Sequence, residues 1–355
     1  MATATTDVVW QARDTNPGAI EAALREQLAE VHRQHQGYVP ARVMNLVCVV
    51  DKAYSGEIAN RLARVGRYHP SRTIVCSVER GREKLDAVAT IAAPSELGHG
   101  EIGVLRETVV VTVGERHLPH LDRIVDPLVV TDLITAVWSP HGHPDAVDSL
   151  RSLSQVVLLD TVDEPELGPA IRRARELSQD LYVVDLAWLR STPWRERIAA
   201  TFDPEPLRPD LQTISLVEIR HHPESAAAGL LLIGWMASRL GWRTSPLVRR
   251  DSILSGSAHG RRQDVRLRLR PEPRLQVRGL EGLTLETASG RHFDLDRGPG
   301  GLHARYVHRR GTEREWTILG ASRGEPGILG EGIRQALLRD PTYGPALGAA
   351  ETLLP

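Results

Sequence analysis

The tract from Asp185 to Asp203 concentrates two tryptophans (Trp188, Trp194) and three arginines (Arg190, Arg195, Arg197), in a chain of 355 residues that is only 4% aromatic. The chemistry these side chains offer is recognition. A guanidinium grips carboxylates and phosphates through its planar fork, and tryptophan and arginine are the types most enriched at interface hot spots. Thr192-Pro193 predicts a helix start, with Thr192 as the cap and proline at the first helical position. Glu196 falls in the first turn, favourably placed against the helix dipole. Trp194, Ile198 and Phe202 recur at helical spacing and are expected to dock one face into a core. Trp188, Arg190 and Arg195 fall outside that stripe and are the candidate partner-interface residues; the plainer reading is a well-capped helix with its arginines in solvent.

Other clusters bear on chemistry less directly. His69, Ser71 and Arg72, in Gly66-Arg-Tyr-His-Pro-Ser-Arg-Thr73, stand where a helix gives way to a strand, a position for a structural turn or a contact surface. Strand alternation puts Arg266, Arg268 and Arg270 on one face, a cationic strip that is either solvated or docks an acidic surface or a phosphate. Gly98-His-Gly-Glu-Ile-Gly103 matches a dinucleotide fingerprint only as a string, because a strand-like run rather than a helix follows it. His141-Gly-His143 and His221-His-Pro-Glu224 lack metal-ligand spacing. Ser255-Gly-Ser257-Ala-His259 lacks the order of a nucleophile elbow. The sequence therefore assigns no catalytic, cofactor-binding or metal-binding residue.

These clusters are placed by alternating signals. Asn16-Pro17 opens an amphipathic helix that continues to Gly37. The run Met44–Val50 is apolar throughout, as in a strand covered on both faces. Helix and strand patterns then alternate to Leu159, predicting an α/β domain with a largely parallel or mixed sheet and flanking helices. Beyond Asp163-Glu-Pro-Glu-Leu-Gly-Pro169 come further helices, an apolar helix over Ala226–Leu240 and a series of alternating strands, predicting an α+β domain with an antiparallel sheet. The expected organisation is an N-terminal helical arm at 1–36, the α/β domain at 37–162, the α+β domain at 163–340 and a poorly ordered tail at 341–355.

A net charge of −1 argues against a dedicated nucleic-acid binder. No apolar run reaches the roughly 20 residues of a membrane span, and the first residues lack a secretory pattern, so a cytoplasmic protein is expected. Cys48 and Cys76, the only cysteines, fall in strand-like runs and read as buried, reduced thiols; a disulfide is possible only if their strands are neighbours.

Four segments in order, Arg42-Val-Met-Asn45-Leu, His69-Pro-Ser-Arg-Thr73, Asp185-Leu-Ala-Trp188 with Thr192-Pro-Trp-Arg195, and Ala228-Gly-Leu-Leu-Leu-Ile-Gly-Trp-Met-Ala-Ser-Arg-Leu-Gly-Trp242, resemble the OpcA family of glucose-6-phosphate dehydrogenase assembly proteins. The likeness extends from about Val39 to the neighbourhood of Trp316. It implies a non-enzymatic accessory protein of the oxidative pentose phosphate route, with glucose-6-phosphate dehydrogenase as partner, no cofactor and no catalytic residues. Some relatives are redox-responsive through cysteines, to which Cys48 and Cys76 do not correspond. The alternative from a different class is a sensor or enzyme that binds a sugar phosphate or nucleotide in a cleft between the two domains.

Overall fold

The computed structural model describes residues 6–34, 38–40, 42–65, 70–93, 103–307, 313–319 and 324–355. The chain divides into two compact units, one of residues 1–159 with 180–183, the other of 160–179 with 184–355. His69 and the glycine string up to Ile102 lie outside the described residues.

The first unit is built on β1 (Thr6–Thr15), α1 (Pro17–Gln34), β2 (Met44–Asp51), α2 (Ser55–Val65), β3 (Ser71–Val78), β4 (Leu85–Ala93), β5 (Arg106–Val113), β6 (Ile134–Trp138) and β7 (Val156–Leu159). After α3 (Leu167–Leu177), β8 (Tyr182–Asp185) completes a sheet of order β1-β4-β5-β3-β2-β6-β7-β8. Strands β5, β3, β2, β6 and β7 run parallel, whereas β4 and β1 join antiparallel. Met44 to Val50 are all buried, as a central parallel strand requires. Helix α1 buries Ile20, Leu24 and Val31. The residues before α1, to which the sequence pattern assigned no element, form β1 in an eight-residue register with β4.

Strands β2 and β3 are neighbours, yet their cysteines do not face each other. Cys48 aligns with Val75 and Val49 aligns with Cys76. Aligned residues share a side of the sheet and successive residues alternate, so the two thiols project from opposite faces. That arrangement forbids a disulfide, which needs Cβ atoms directed at each other. Both thiols are fully buried, and burial pushes them up, Cys76 to about 12 and Cys48 well above its ordinary value.

The second unit continues with α4 (Leu186–Arg190), α5 (Thr192–Phe202), β9 (Ile214–His221), α6 (Ala226–Leu240), β10 (Ile253–His259), β11 (Asp264–Pro271), β12 (Leu280–Thr287), β13 (His292–Gly298), β14 (Gly301–Val307), β15 (Glu313–Leu319), α7 (Gly324–Leu338) and α8 (Tyr343–Thr352). Its sheet runs β10-β11-β9-β12-β13-β14-β15, with two short strands added to β10. The sheet is antiparallel except where β9 and β11 pair in parallel. Val265, Leu267 and Leu269 are buried under α6, while Arg266, Arg268 and Arg270 are exposed on the other face.

Helix α6 is apolar on every side because it is covered on every side: the sheet lies beneath it and α8 crosses over it. A Cβ at Gly234 would come within 2.3 Å of the Ala346 carbonyl oxygen, so glycine is what allows α8 to approach. Gly241, at φ +67°, ends α6 in the left-handed conformation that glycine adopts freely. Helix α8 corrects the expectation of a loosely ordered tail. Its Tyr343, Ala346, Leu347 and Ala350 are buried, a set too rich in small residues to read as an amphipathic stripe.

The fully buried, protonated thiols carry a direct test. Ellman's reagent at pH 8 should titrate neither cysteine in the native chain and both after denaturation. Diamide treatment followed by mass spectrometry should show no intramolecular disulfide; a native crosslink would refute the register.

Candidate functional site

The second unit encloses a cavity of about 590 Å³, within the range of small-molecule sites. One wall comes from the α4–α5 corner, Ala187 and Leu189 to Glu196. Another comes from the β12 and β13 ends and the turn after β13, and α7 supplies Ile328, Glu331, Arg334 and Gln335. All of the lining residues belong to the second unit.

The corner is set by Asp185, at the end of β8. Its Oδ1 accepts from the Ala187 amide at 3.0 Å, capping α4, and from the Thr161 amide at 3.2 Å. Its Oδ2 accepts from the Thr161 hydroxyl at 3.0 Å and the Tyr343 hydroxyl at 3.2 Å. Asp185 is 1% exposed. Burial, with the nearby Asp160 charge second, raises its carboxyl to about 6. Asp160 is raised to about 6 as well, by burial, although Arg190 donates to it at 2.6 Å and works in the opposite direction.

Helix α5 begins at Thr192, one residue before the expected start, and Ser191 is the flanking residue. Trp194, Ile198 and Phe202 are buried as the spacing requires, and Phe202 meets Phe293 edge to face at 5.9 Å.

The candidate interface residues sit differently from expectation. Trp188 is 2% exposed. Its indole N–H donates to Asp340 at 2.8 Å, and its ring meets Tyr343 edge-on at 5.4 Å. Arg195 is 7% exposed and lies over the Trp188 ring, its Cζ 3.4 Å from the centroid. Arg195 donates to Thr192 Oγ1 at 2.8 Å and to the Trp188 carbonyl at 3.3 Å, with Asp340 3.9 Å away. Trp188 and Arg195 thus escape the α5 stripe because they form a second buried cluster, one built across the corner rather than along a helix, while the half-buried Arg190 pairs with Asp160.

The remaining candidates separate. Arg72 is buried; it donates to Glu107 at 2.8 Å and to the Leu128 carbonyl at 3.0 Å. Arg42 reaches the same carboxylate, so Glu107 is held between two guanidinium groups. The cross-strand pairing of Arg72 with Glu107 explains the location. Asn45 accepts from the Val130 amide at 2.9 Å and donates to Thr135 at 3.1 Å, pinning the loop before β6. Ser71 bonds Thr73 within its own strand. The bonds of Arg42, Asn45, Arg72 and Glu107 brace the first unit from within. Arg266, Arg268 and Arg270 are exposed, facing Glu286 and Glu218 at 3.5–3.8 Å. Among the described residues no group of three His, Cys, Asp or Glu could hold a metal ion.

Sequence reasoning missed Asp160, Asp340, Tyr343 and Arg297. Asp340 and Tyr343 lie about 150 residues from the groups they bind, and nothing local marks them. Asp185 did carry a signal, an aspartate just ahead of a short helix.

The buried carboxyl at Asp185 gives stability a definite pH dependence. Its folded value of about 6 lies above the ordinary carboxyl value of 3.8. The folded state therefore resists ionising it, and that penalty, about 3 kcal/mol at most, is fully present above pH 6. It is relieved as pH falls from about 6 towards about 4. Asp185→Asn retains the acceptor for both amides and removes the titration. Thermal melts should show the wild type gaining on this variant as pH falls from 7 to 4.5, whereas a constant difference would disprove the assignment.

Comparison with known proteins places these features in a family. Residues 62–176 match the family model described as glucose-6-phosphate dehydrogenase subunit N-terminal domain, and residues 181–347 match the corresponding C-terminal domain. A putative OxPP cycle protein OpcA of Synechococcus elongatus is 24% identical over 185 residues, 50% of this chain and 41% of that protein. The Synechocystis protein of the same name is 24% identical over 180 residues, 49% of this chain and 38% of its own length. The chain thus spans about two-fifths of the length of these relatives. Among solved structures, scyllo-inositol dehydrogenase from Lactobacillus casei aligns at TM-score 0.43 and 11% identity, over 88% of this chain and 96% of that one. An oxidoreductase domain protein from Kribbella flavida aligns at 0.40 and 12%, over 88% and 92%. At that level neither reaction nor cofactor carries over. No helix among the described residues is long and apolar enough to cross a membrane. With both matched domains in order along the chain, this protein belongs to the OpcA family of glucose-6-phosphate dehydrogenase assembly proteins.

Proposed function

We propose that the chain is a non-enzymatic accessory protein of the oxidative pentose phosphate cycle, one that binds glucose-6-phosphate dehydrogenase and favours its active oligomer. The observation that carries this reading is the ordered match of both family domains, over residues 62–176 and 181–347. An accessory raises activity only if it binds the active state more tightly than the inactive one; a tenfold shift between states needs about 1.4 kcal/mol of difference.

Burial removes Trp188, Arg195 and Arg72 from direct contact with a partner and leaves the strip on β11. Arg266, Arg268 and Arg270 have side chains 61%, 52% and 47% exposed, and their carboxylate neighbours stand at the outer limit of ion pairing. Such loose pairs contribute little to folding and are free to exchange for carboxylates on another protein. We assign this sheet face as the docking surface for an acidic region of the dehydrogenase.

Co-expression with the cognate dehydrogenase tests both parts. The chain should co-elute with the enzyme, shift it to its larger oligomer and raise its specific activity. Replacing Arg266, Arg268 and Arg270 together by glutamate should weaken binding at least tenfold while the melting temperature stays within a few degrees. No change in oligomer or activity would refute the accessory role; unchanged binding by the triple variant would refute only the surface.

A further inference from the structure

The cavity of the second unit contains more guanidinium charge than its own carboxylates neutralise. Three of its arginines are matched. Arg190 pairs with Asp160 at 2.6 Å, Arg278 with Asp163 at 2.8 Å and Glu224 at 3.0 Å, and Arg334 with both oxygens of Glu331. Arg195 and Arg297 are not matched in this way. The Arg195 hydrogen bonds go to a carbonyl and a hydroxyl, its Nε is buried with no partner among the described residues, and Asp340 stands off at 3.9 Å. Asp340 is itself engaged by the Trp188 indole and by the Thr342 amide and hydroxyl. Arg297 directs Nε and Nη2 to one carbonyl, Leu280, at 3.1 and 2.9 Å, and makes no ion pair among the described residues. Both line the same cavity.

Removing a guanidinium from water is costly unless a close carboxylate offsets it; Asp340 and Glu196 offset the burial of Arg195, and Glu281 that of the half-buried Arg297, only in part. Burial lowers Arg195 to about 10 and also lowers Arg297. A bound oxyanion supplies the missing charge, with a geometry that guanidinium forks match. The α5 start contributes little to this, because the Trp194 and Arg195 amides already donate to the Ser191 carbonyl.

We propose that this cavity binds a small phosphorylated polyol, with the phosphate held by Arg195 and Arg297. The rest of the lining fits that class. Glu196 and Gln335 offer acceptors for hydroxyl groups, and Leu189, Trp194, Leu280, Leu302 and Ile328 supply apolar surface for a carbon skeleton.

The test uses the full chain without the dehydrogenase, so its outcome is independent of the accessory role. Isothermal titration at constant ionic strength compares glucose 6-phosphate, inorganic phosphate, AMP and glucose. Glucose 6-phosphate should bind with sub-millimolar affinity, inorganic phosphate at least tenfold more weakly, and glucose not detectably. Arg297→Gln should weaken glucose 6-phosphate binding at least tenfold, while Arg116→Gln, a surface control in the first unit, should leave it unchanged. Hydrogen exchange on the unmutated chain supplies a readout that no folding defect can confuse, with ligand-dependent protection expected at 187–196 and 279–302. Absence of binding, equal binding by Arg297→Gln, or protection elsewhere would overturn the proposal. Preference for AMP would overturn the polyol assignment in favour of a nucleotide.

Discussion

Asp185 is a carboxylate with almost no access to water, and it accepts four hydrogen bonds from groups in three separate parts of the chain. An unpaired carboxylate in that position would be prohibitive; one satisfied four times becomes a joint. Through Ala187 it fixes the start of α4, through Thr161 the segment after β7, and through Tyr343 the last helix. Everything lining that side of the cavity follows. Helix α4 aims Trp188 at Tyr343 and Asp340, Arg195 lies on Trp188, and Ala187 to Glu196 become a wall. Because burial disfavours the ionised form that accepts all four bonds, the joint operates with little electrostatic margin near neutral pH.

The first unit repeats the strategy with different residues. Glu107, 1% exposed, is gripped by Arg42 and Arg72, and Arg72 also binds a carbonyl and Glu21. Removing one member of such a set leaves another charge buried and alone, a loss of about 3–5 kcal/mol. That is a sufficient reason for Arg42 and Arg72 to occupy their positions. In a chain whose positive charge is nearly all arginine, with Lys52 and Lys84 the only lysines, guanidinium groups serve as internal fasteners as well as surface charge.

This explains where reading the sequence succeeded and where it stopped. Apolar periodicity located the central strands, the α5 stripe of Trp194, Ile198 and Phe202, and the inward alternation of Val265, Leu267 and Leu269, because burial on a regular element leaves a regular pattern. It missed β1, whose half-exposed edge position leaves no such pattern, and α8, whose contact with α6 depends on small residues and Gly234. It read Trp188 and Arg195 as outward-facing because their partners, Tyr343 and Asp340, are remote in sequence. An arginine stacked on a buried indole and an arginine in solvent are the same letter; only the tertiary neighbours distinguish them.

The division between inward and outward arginines also limits how the two proposed sites relate. Arginines on β11 stand on a solvated face, where screening keeps each contact weak and exchangeable. Arg195 is buried and Arg297 half-buried, where an anion is worth more than on an open face. A ligand in the cavity stabilises the folded chain by mass action whatever the partner does. It alters partner binding only if the partner-bound and free chains differ in the cavity itself, since coupling between sites is reciprocal and requires differential affinity.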